Sequence, residues 1–375
     1  MSKKLSRLGC GIDTSKKDFY ACFGGSRLDG SFVVKGSRKF DNNSSGIKQF
    51  IEWLNKKLAK HNTDSDLPFQ IIMEPTGVYH EDLLAKCYEE SLPVCLVLAQ
   101  RVKFYLLSMG QISKTDKVDA KGICKMACQS KQKQWQPSSP NIMNLRSALR
   151  HRKSLLDSQT RYKNQLHARK HSSWSGYSEE ESLQRMIAII DEELAAIEKI
   201  IKKLYKEDKV LRGRLQKIID SVHGVGLITV LTVVAETNGF TEVRSQKQLT
   251  RFAGYDIIQN QSGQREGRTK ISKRGNSRIR AVMHMSSLTA IQKQGPLRNM
   301  FLRIFRRNPK AKMKAYVAVQ RKLLLLIYSL YKKDEAYDPN YHKILQKEMG
   351  GEQKSSPHLK SGLHGIDVEK STLPI

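Results

Sequence analysis

Nowhere in these 375 residues does an uninterrupted apolar run reach the roughly 18–20 residues that span a bilayer, which argues against a helical membrane protein. The opening Met-Ser-Lys-Lys-Leu-Ser-Arg lacks the apolar core of a secretory signal, so a cytoplasmic location is expected. Cysteine is scarce, and its six copies form no CxxC pair with partner histidines, which leaves a zinc site without support. Cys10, Cys22, Cys87 and Cys95 stand in or beside apolar stretches, and Cys124 and Cys128 are four apart on an expected helix; buried reduced thiols are the expectation. Acidic residues are also few: 36 Asp and Glu face 66 Lys and Arg, a formal charge of +30. That excess predicts a polyanionic partner, because displacing counterions from phosphates drives such binding.

The few acids are placed suggestively. Leu8 to Ser15 alternates apolar residues with glycine and ends by presenting Asp13, as a buried strand would. Ile71-Ile-Met73 is a second apolar run, closing on Glu74 before a turn. Asp116 and Asp119 are three apart, so a helix there projects both from one face. Read together, the four carboxylates form one metal site assembled from three segments. Packed without a cation they would repel one another and take up protons, whereas Mg²⁺ or Mn²⁺ with oxygen ligands keeps them ionised. Two such ions serve phosphoryl transfer on nucleic acid. Taken singly, each acid is equally a cap, a turn residue or a surface charge.

In chain order, strands are expected at Leu8 to Asp13, Asp18 to Phe23 and Ser31 to Val34, with Gly24-Gly25 and Asp29-Gly30 as turns. A helix capped by Ser44 follows, its apolar face Ile47, Phe50, Ile51, Leu54 and Leu58. Then come the strand to Met73, a helix around Leu83 to Tyr88, a strand from Val94 to Leu98 and the helix after Thr115. This describes a mixed α/β domain over 1–130. Residues 131–213 begin as a polar, proline-bearing linker and continue as long helices. Leu183, Ile187, Ile190, Leu194, Ile197, Ile201 and Leu204 follow steps of four and three, a heptad seam that needs a partner helix. Residues 142–170 of the same chain and a helix of another subunit satisfy it equally. Arg146, Arg150, Arg152, Lys153, Arg161 and Lys163 give the first helix a basic face, suited to phosphates or to solvent.

A third region spans 214–335. Its Gly224-Val-Gly226 turn resembles the hairpin of a helix-hairpin-helix element, where backbone N–H groups meet a phosphate, ahead of an amphipathic Val230 to Glu236 helix. From Gln264 to Arg280 the loop carries Arg265, Arg268, Lys270, Lys273, Arg274, Arg278 and Arg280, with only Glu266 against them. It reads as a phosphate-gripping loop whose serines are candidate nucleophiles. A serine hydroxyl attacks only when activated, and no base stands beside Ser262, so activation has to be imported, most readily from the acidic cluster. Residues 336–375 read as a flexible tail.

Several stretches in this order are similar to one family: Gly11-Ile-Asp13-Thr-Ser15, Glu74-Pro-Thr-Gly77, Lys114-Thr-Asp116-Lys-Val-Asp119-Ala120, Gly224-Val-Gly226, Phe252-Ala-Gly254, Gln261-Ser262-Gly263 and Ile271-Ser-Lys-Arg-Gly275. Over about 8–335 the sequence resembles the DEDD-type serine recombinases, the transposases of bridge-RNA-guided insertion sequences, a family that includes the pilin-gene invertase. The resemblance implies a multidomain fold, α/β plus α. Its parts are a RuvC-like (RNase H-like) mixed-sheet domain, a coiled-coil insertion, and a mostly helical C-terminal transposase domain with the helix-hairpin-helix-like element. It implies that Asp13, Glu74, Asp116 and Asp119 bind Mg²⁺, with Mn²⁺ an alternative, and that Ser262 attacks DNA to form a phosphoserine link. It implies donor and target DNA selected by a structured noncoding bridge RNA, and a homo-oligomer, dimer or tetramer, in which the acids and the serine come from different subunits. Two positions depart from the family pattern: His223 stands where proline is common, and Tyr255-Asp-Ile257 where Leu-x-Pro is usual.

The sequence therefore predicts a DNA transposase that cuts and rejoins strands. Two other readings remain: a metal-only RuvC-like nuclease or junction resolvase, in which Ser262 plays no part, and a nucleic-acid-binding protein with a degenerate site.

Overall fold

The computed structural model describes residues 4–61, 67–111, 115–172, 179–241, 243–259, 261–262, 265–267 and 269–339. The chain divides into two compact units, residues 1–137 and 138–375. The tail expected to be flexible lies, from 340 on, outside the described residues.

The first unit is a five-stranded mixed sheet with helices. Its elements are β1 (Leu5–Thr14), β2 (Asp18–Arg27), β3 (Phe32–Asp41), α1 (Ser44–His61), β4 (Phe69–Met73), α2 (Glu81–Glu89), β5 (Val94–Leu96), α3 (Ala99–Ser108) and α4 (Asp116–Gln129). The strand order is β3-β2-β1-β4-β5. The first three strands form an antiparallel meander, and β4 and β5 run parallel to β1. Successive residues of β1 face opposite sides. Leu8, Cys10 and Ile12 join a core with Phe50, Ile51 and Leu54 of α1, while Gly9 and Gly11 face α4. A Cβ at Gly11 would stand 2.1 Å from the Cys124 nitrogen and 2.4 Å from the Ala120 oxygen, so only glycine lets the helix lie directly on the strand.

Three expectations are corrected here. Gly24-Gly25 is not a turn: both residues lie within β2, where a Cβ on Gly24 would press on the Phe32 ring at 2.8 Å, and the register shifts between Phe23 and Gly24. Glycines inside a strand mark close approach and irregularity as often as they mark its end. Helix α1 is capped by Asn43, whose Oδ1 accepts from the Gly46 N–H at 2.9 Å, and Ser44 is already helical. The stretch after Gln129 is not a loose linker throughout, since the Trp135 N–H donates to the Val94 carbonyl at 2.7 Å and extends the edge beside β5.

The second unit is helical. Helices α5 (Pro140–Lys170) and α6 (Glu179–Glu207) lie antiparallel; Arg169 pairs with Glu179, Gln159 with Asp191, and Arg152 with Glu198 at 2.7 Å. Leu183, Ile190, Leu194 and Ile201 of the seam are buried, so a helix of the same chain covers it. The basic face of α5 is partly spent on internal contacts: the Arg146 Nε donates to the Ala235 carbonyl at 2.7 Å, and Arg150 binds Glu236. Next come α7 (Lys209–Ser221) and α8 (Leu227–Glu236). The latter was expected to be amphipathic and is instead buried from Val230 to Glu236, the central helix of the unit. Each of its full-sized apolar side chains contributes about 1.5–3 kcal/mol by leaving water. After α9 (Gln246–Ala253), four two-residue strands form two small ribbons, β6 (Ile257–Ile258) with β9 (Lys270–Ile271) and β7 (Gln261–Ser262) with β8 (Arg265–Glu266). Helices α10 (Ser277–Ala290), α11 (Pro296–Arg307) and α12 (Lys312–Lys333) complete the unit. Among the described residues no helix is long and apolar enough to cross a membrane.

Candidate functional site

The main-chain geometry of the first unit brings the predicted acids to one edge. Gly9 lies against Ala127 and Cys128, and Gly11 against Ala120, Ile123 and Cys124, so climbing β1 by two residues descends α4 toward its start. The next residue on that face is Asp13, which therefore stands level with the first turn of α4, where Asp116 and Asp119 are. Strand β4 pairs with β1 through Ile12↔Met73. Asp13 and Glu74, each one step further, are neighbours on the face where Ile72 packs with Ile123 and Met126 of α4. Thr115 caps α4, its Oγ1 accepting from the Val118 N–H at 3.3 Å. The helix thus points its positive end toward this edge.

The side chains are not equivalent. Asp13, Glu74 and Asp119 are half-buried, whereas Asp116 is exposed. Asp119 Oδ1 accepts from the Gln111 Nε2 at 3.2 Å. Asp116 acts on Lys39, whose ammonium lies 2.8 Å from Asp18. That bond holds the Asp18 carboxyl below its ordinary range. Among the described residues, no three His, Cys, Asp or Glu side chains close into a metal-holding group. The donor set is nonetheless entirely carboxylate oxygen, the chemistry a hard divalent cation requires.

In the second unit, Ser262 is exposed on β7 and pairs with Arg265 across the ribbon. Gly263, Gln264 and Arg268 lie outside the described residues. The other loop serine is engaged: Ser272 Oγ donates to the Asp256 carboxylate, and its N–H to the Asp256 carbonyl at 2.7 Å. Lys270, Lys273 and Arg274 are exposed. Arg280 is tied down, its Nη1 donating to the Ala253 and Gly275 carbonyls at 2.9 and 3.0 Å. The Arg278 Nε is 3.9 Å from Glu236. Gly224 is left-handed at φ 86°, and a Cβ there would lie 2.6 Å from the Ala290 nitrogen, so its type is required by contact with α10. Gly226 precedes α8 in open space.

A family model described as a transposase matches residues 10–169, and a second, described as the IS116/IS110/IS902 transposase family, matches residues 216–302. The chain belongs to that family. It is therefore an enzyme of DNA transposition and recombination. The pilin gene-inverting protein of Moraxella bovis is 23% identical over 347 residues, covering 90% of this chain and 100% of the relative. The transposase for insertion sequence element IS1111A of Coxiella burnetii is 23% identical over 273 residues, with 66% of this chain and 73% of the relative covered. Among solved structures, Thermus thermophilus RuvC is 13% identical with a TM-score of 0.25, covering 34% of this chain and 99% of that one.

Beyond the expected acids, the structure brings Gln111, Lys39 and Asn42 to the same edge. Gln111 has no sequence pattern to mark it. Lys39 stands out only once β3 is paired with β2, where it faces Tyr20. Asn42 has no sequence pattern to mark it either.

Proposed function

We propose that this transposase cuts and rejoins DNA by phosphoryl transfer, with a RuvC-like acidic edge holding a divalent cation and Ser262 as nucleophile. The meeting of β1, β4 and the start of α4 carries this reading, since those three segments, 42 or more residues apart in sequence, carry the acids on one face. Asp13, Glu74 and Asp119 would hold the ion, with Asp116 on the solvent side. Bound there, Mg²⁺ or Mn²⁺ supplies positive charge against the phosphate oxygens. The Ser262 oxygen attacks phosphorus as its proton passes to a carboxylate of the acidic edge, since its own loop supplies no base. The bond from phosphorus to the departing strand end breaks, and that oxygen takes up a proton. One phosphodiester, now carried by Ser262, replaces another, so resealing by a strand hydroxyl requires no external energy source.

Ser262 is favoured over Ser272 because its side chain is exposed while Ser272 is held by Asp256. In this reading the activating acids are contributed by another subunit of a dimer or tetramer, and a structured noncoding RNA chooses donor and target DNA by pairing. The net charge of +30 suits a chain that handles both polyanions. Lys270, Lys273 and Arg274 are the exposed cations best placed to follow phosphate, while Gly224 is taken up by its contact with α10 and Gly226 stands open at the start of α8.

The test is a denaturation-resistant protein–DNA adduct formed on cognate DNA and RNA with Mg²⁺. It is expected with the wild type and with Ser272→Ala, and lost in Ser262→Ala. An adduct that persists in Ser262→Ala overturns the assignment. All four acids belong to the first unit and Ser262 to the second, which favours a second reading as a metal-only nuclease. Under that reading Ser262→Ala cleaves at the wild-type rate and no variant forms an adduct.

A further inference from the structure

The two strands that present Asp13 and Glu74 end in loops, and those loops are held together by a residue outside both. Asn42 follows β3 at the edge where β1 ends, a placement fixed by the Asp18↔Asp41 pairing. Its N–H donates to the Lys17 carbonyl at 2.9 Å. Its side-chain Nδ2 donates at 2.9 Å to the Ser15 carbonyl, two residues beyond Asp13, and at 2.8 Å to the Tyr79 carbonyl, five residues beyond Glu74. One planar nitrogen with two hydrogens thus spans two loops, at carbonyls 64 residues from each other in the chain. An aspartate has no hydrogen to give, and a serine hydroxyl has one.

The tie at Tyr79 reaches Glu74 because the intervening loop is itself closed. The Tyr79 N–H donates to the Thr76 carbonyl at 3.1 Å, and the Thr76 hydroxyl contacts the Glu74 carbonyl at 3.5 Å. A second tie runs alongside, from the Thr14 hydroxyl to that of Thr76 at 3.4 Å. On the other side, the Ser15 hydroxyl donates to the Asp18 carbonyl at 2.8 Å, closing the turn after Asp13. The separation of the two acids is therefore set by the β1–β4 pairing below and by Asn42 above.

We infer that Asn42 is a positioning residue that holds Asp13 and Glu74 at the spacing a shared divalent cation needs. This rests on the acidic edge being a cation site. Groups that orient metal ligands typically contribute a factor of about 10–100 in metal affinity.

The experiment is a Mn²⁺ titration of the full chain followed by electron paramagnetic resonance, at a temperature where every variant is folded by circular dichroism. The wild type is expected to bind Mn²⁺, Asp13→Asn to lose that binding, and Asn42→Ala to weaken it about 10–100-fold. Thr14→Val, which cuts the second tie and keeps the side-chain volume, is expected to weaken it in the same direction, and it serves if Asn42→Ala does not fold. A purely structural Asn42 would lower the melting temperature and leave Mn²⁺ affinity unmoved, which overturns the inference. If Asp13→Asn binds Mn²⁺ as the wild type does, the acidic edge is not the site, and the cation reading falls together with the role of Asn42. If Asp13→Asn loses binding while Asn42→Ala and Thr14→Val keep it, the cation reading stands and the role of Asn42 alone is lost.

Discussion

Arg150 on α5 and Glu236 at the end of α8 form a two-pronged ion pair, with Nε and Nη2 donating to the two carboxylate oxygens at 2.8 and 2.9 Å. The Glu236 side chain is only 4% exposed. It also accepts from the Asn276 Nδ2 at 2.6 Å, and Asn276 in turn caps α10. One buried carboxylate therefore joins α5, α8 and α10, the last being the helix that follows the serine loop.

Glu236→Gln is expected to cost the second unit about 1.5 kcal/mol at neutral pH, because it removes the charge from hydrogen bonds to a buried acceptor while Arg150 itself stays half-exposed to water. Burial pushes the Glu236 carboxyl up, but the bonds and charge of Arg150, with Asn276 and Arg278, outweigh it and leave the group below its ordinary value. A lowered carboxyl stabilises the fold above its unfolded pKa and loses that contribution as pH falls through the folded value. The difference between wild type and variant in urea midpoint should therefore be full at pH 7 and shrink below about pH 4. A gap that does not change with pH would contradict the charge argument.

The two glycines of the Gly224-Val-Gly226 turn should separate on substitution. Gly224→Ala forces a side chain into a left-handed position and against the backbone of Ala290, with an expected loss of about 3 kcal/mol. Gly226→Ala meets nothing within 4 Å at an ordinary φ of −94°, so its cost should stay under about 1 kcal/mol. Denaturant midpoints of the two variants check this. Equal losses would mean that the turn is not held by α10 as described.

Much of the acidic edge was legible in the sequence because strands that end in an acid carry their own signal: apolar alternation, then Asp13; an apolar run, then Glu74. The pair at Asp116 and Asp119 was legible because a helical spacing follows a capping Thr115. The misreading of Gly24-Gly25 shows the limit of local rules, since the demand for glycine there comes from Phe32, a residue of another strand. Helix α3 was missed altogether: its exposed Phe104 and Leu107 blur the apolar face that would have marked it. Arg280 looked like a phosphate ligand by composition, and only tertiary structure revealed the carbonyls it serves. Asn42 could not be found at all, because a bridge between two loops leaves no periodic trace.

The first unit should lose stability in mild acid through His80. This side chain is 7% exposed, and among the described residues its Nδ1 has no hydrogen-bond partner. Burial lowers its pKa, against the opposing effects of Glu81 and the Thr76 carbonyl. A histidine lowered on folding is neutral in both states above about pH 6.5, so it adds no pH dependence there. As pH falls below that value the unfolded chain takes the proton first, and stability declines until the folded ring titrates too. Subtracting the pH profile of His80→Gln from that of the wild type isolates this contribution. No difference between pH 7.5 and 5.5 would mean that the ring is solvated.

All six cysteines are buried. Burial pushes the Cys87 thiol up to about 12 and the Cys95 thiol to about 11, so at pH 8 almost none of either is thiolate. Cys22 is lowered by its interaction with Cys124, but it is enclosed between β2 and α4. Iodoacetamide should therefore modify the native protein only as fast as it unfolds, with the rate rising in step with denaturant. Mass spectrometry after timed exposure identifies the sites. Fast labelling of Cys87 or Cys95 without denaturant would show that the packing of α2 and β5 is looser than described.

Gly11 offers the sharpest test of how the acids are brought together. A methyl group there meets the Cys124 nitrogen at 2.1 Å, the Ala120 oxygen at 2.4 Å and the Ile123 carbonyl carbon at 2.6 Å, all of them backbone. No side-chain rotation relieves such contacts, so α4 has to lift from β1 and carry Asp116 and Asp119 away from Asp13. Gly11→Ala should cost about 3 kcal/mol, the upper end for overpacking a core. Gly30→Ala is a control in the same unit, at a turn where a Cβ meets nothing within 4 Å, with its strain confined to a φ of 79° far from the acids. At a temperature where both variants are folded, DNA strand cleavage should fall at least tenfold in Gly11→Ala and stay near wild type in Gly30→Ala. Equal activity in the two would mean that the spacing of strand and helix does not govern the acidic edge.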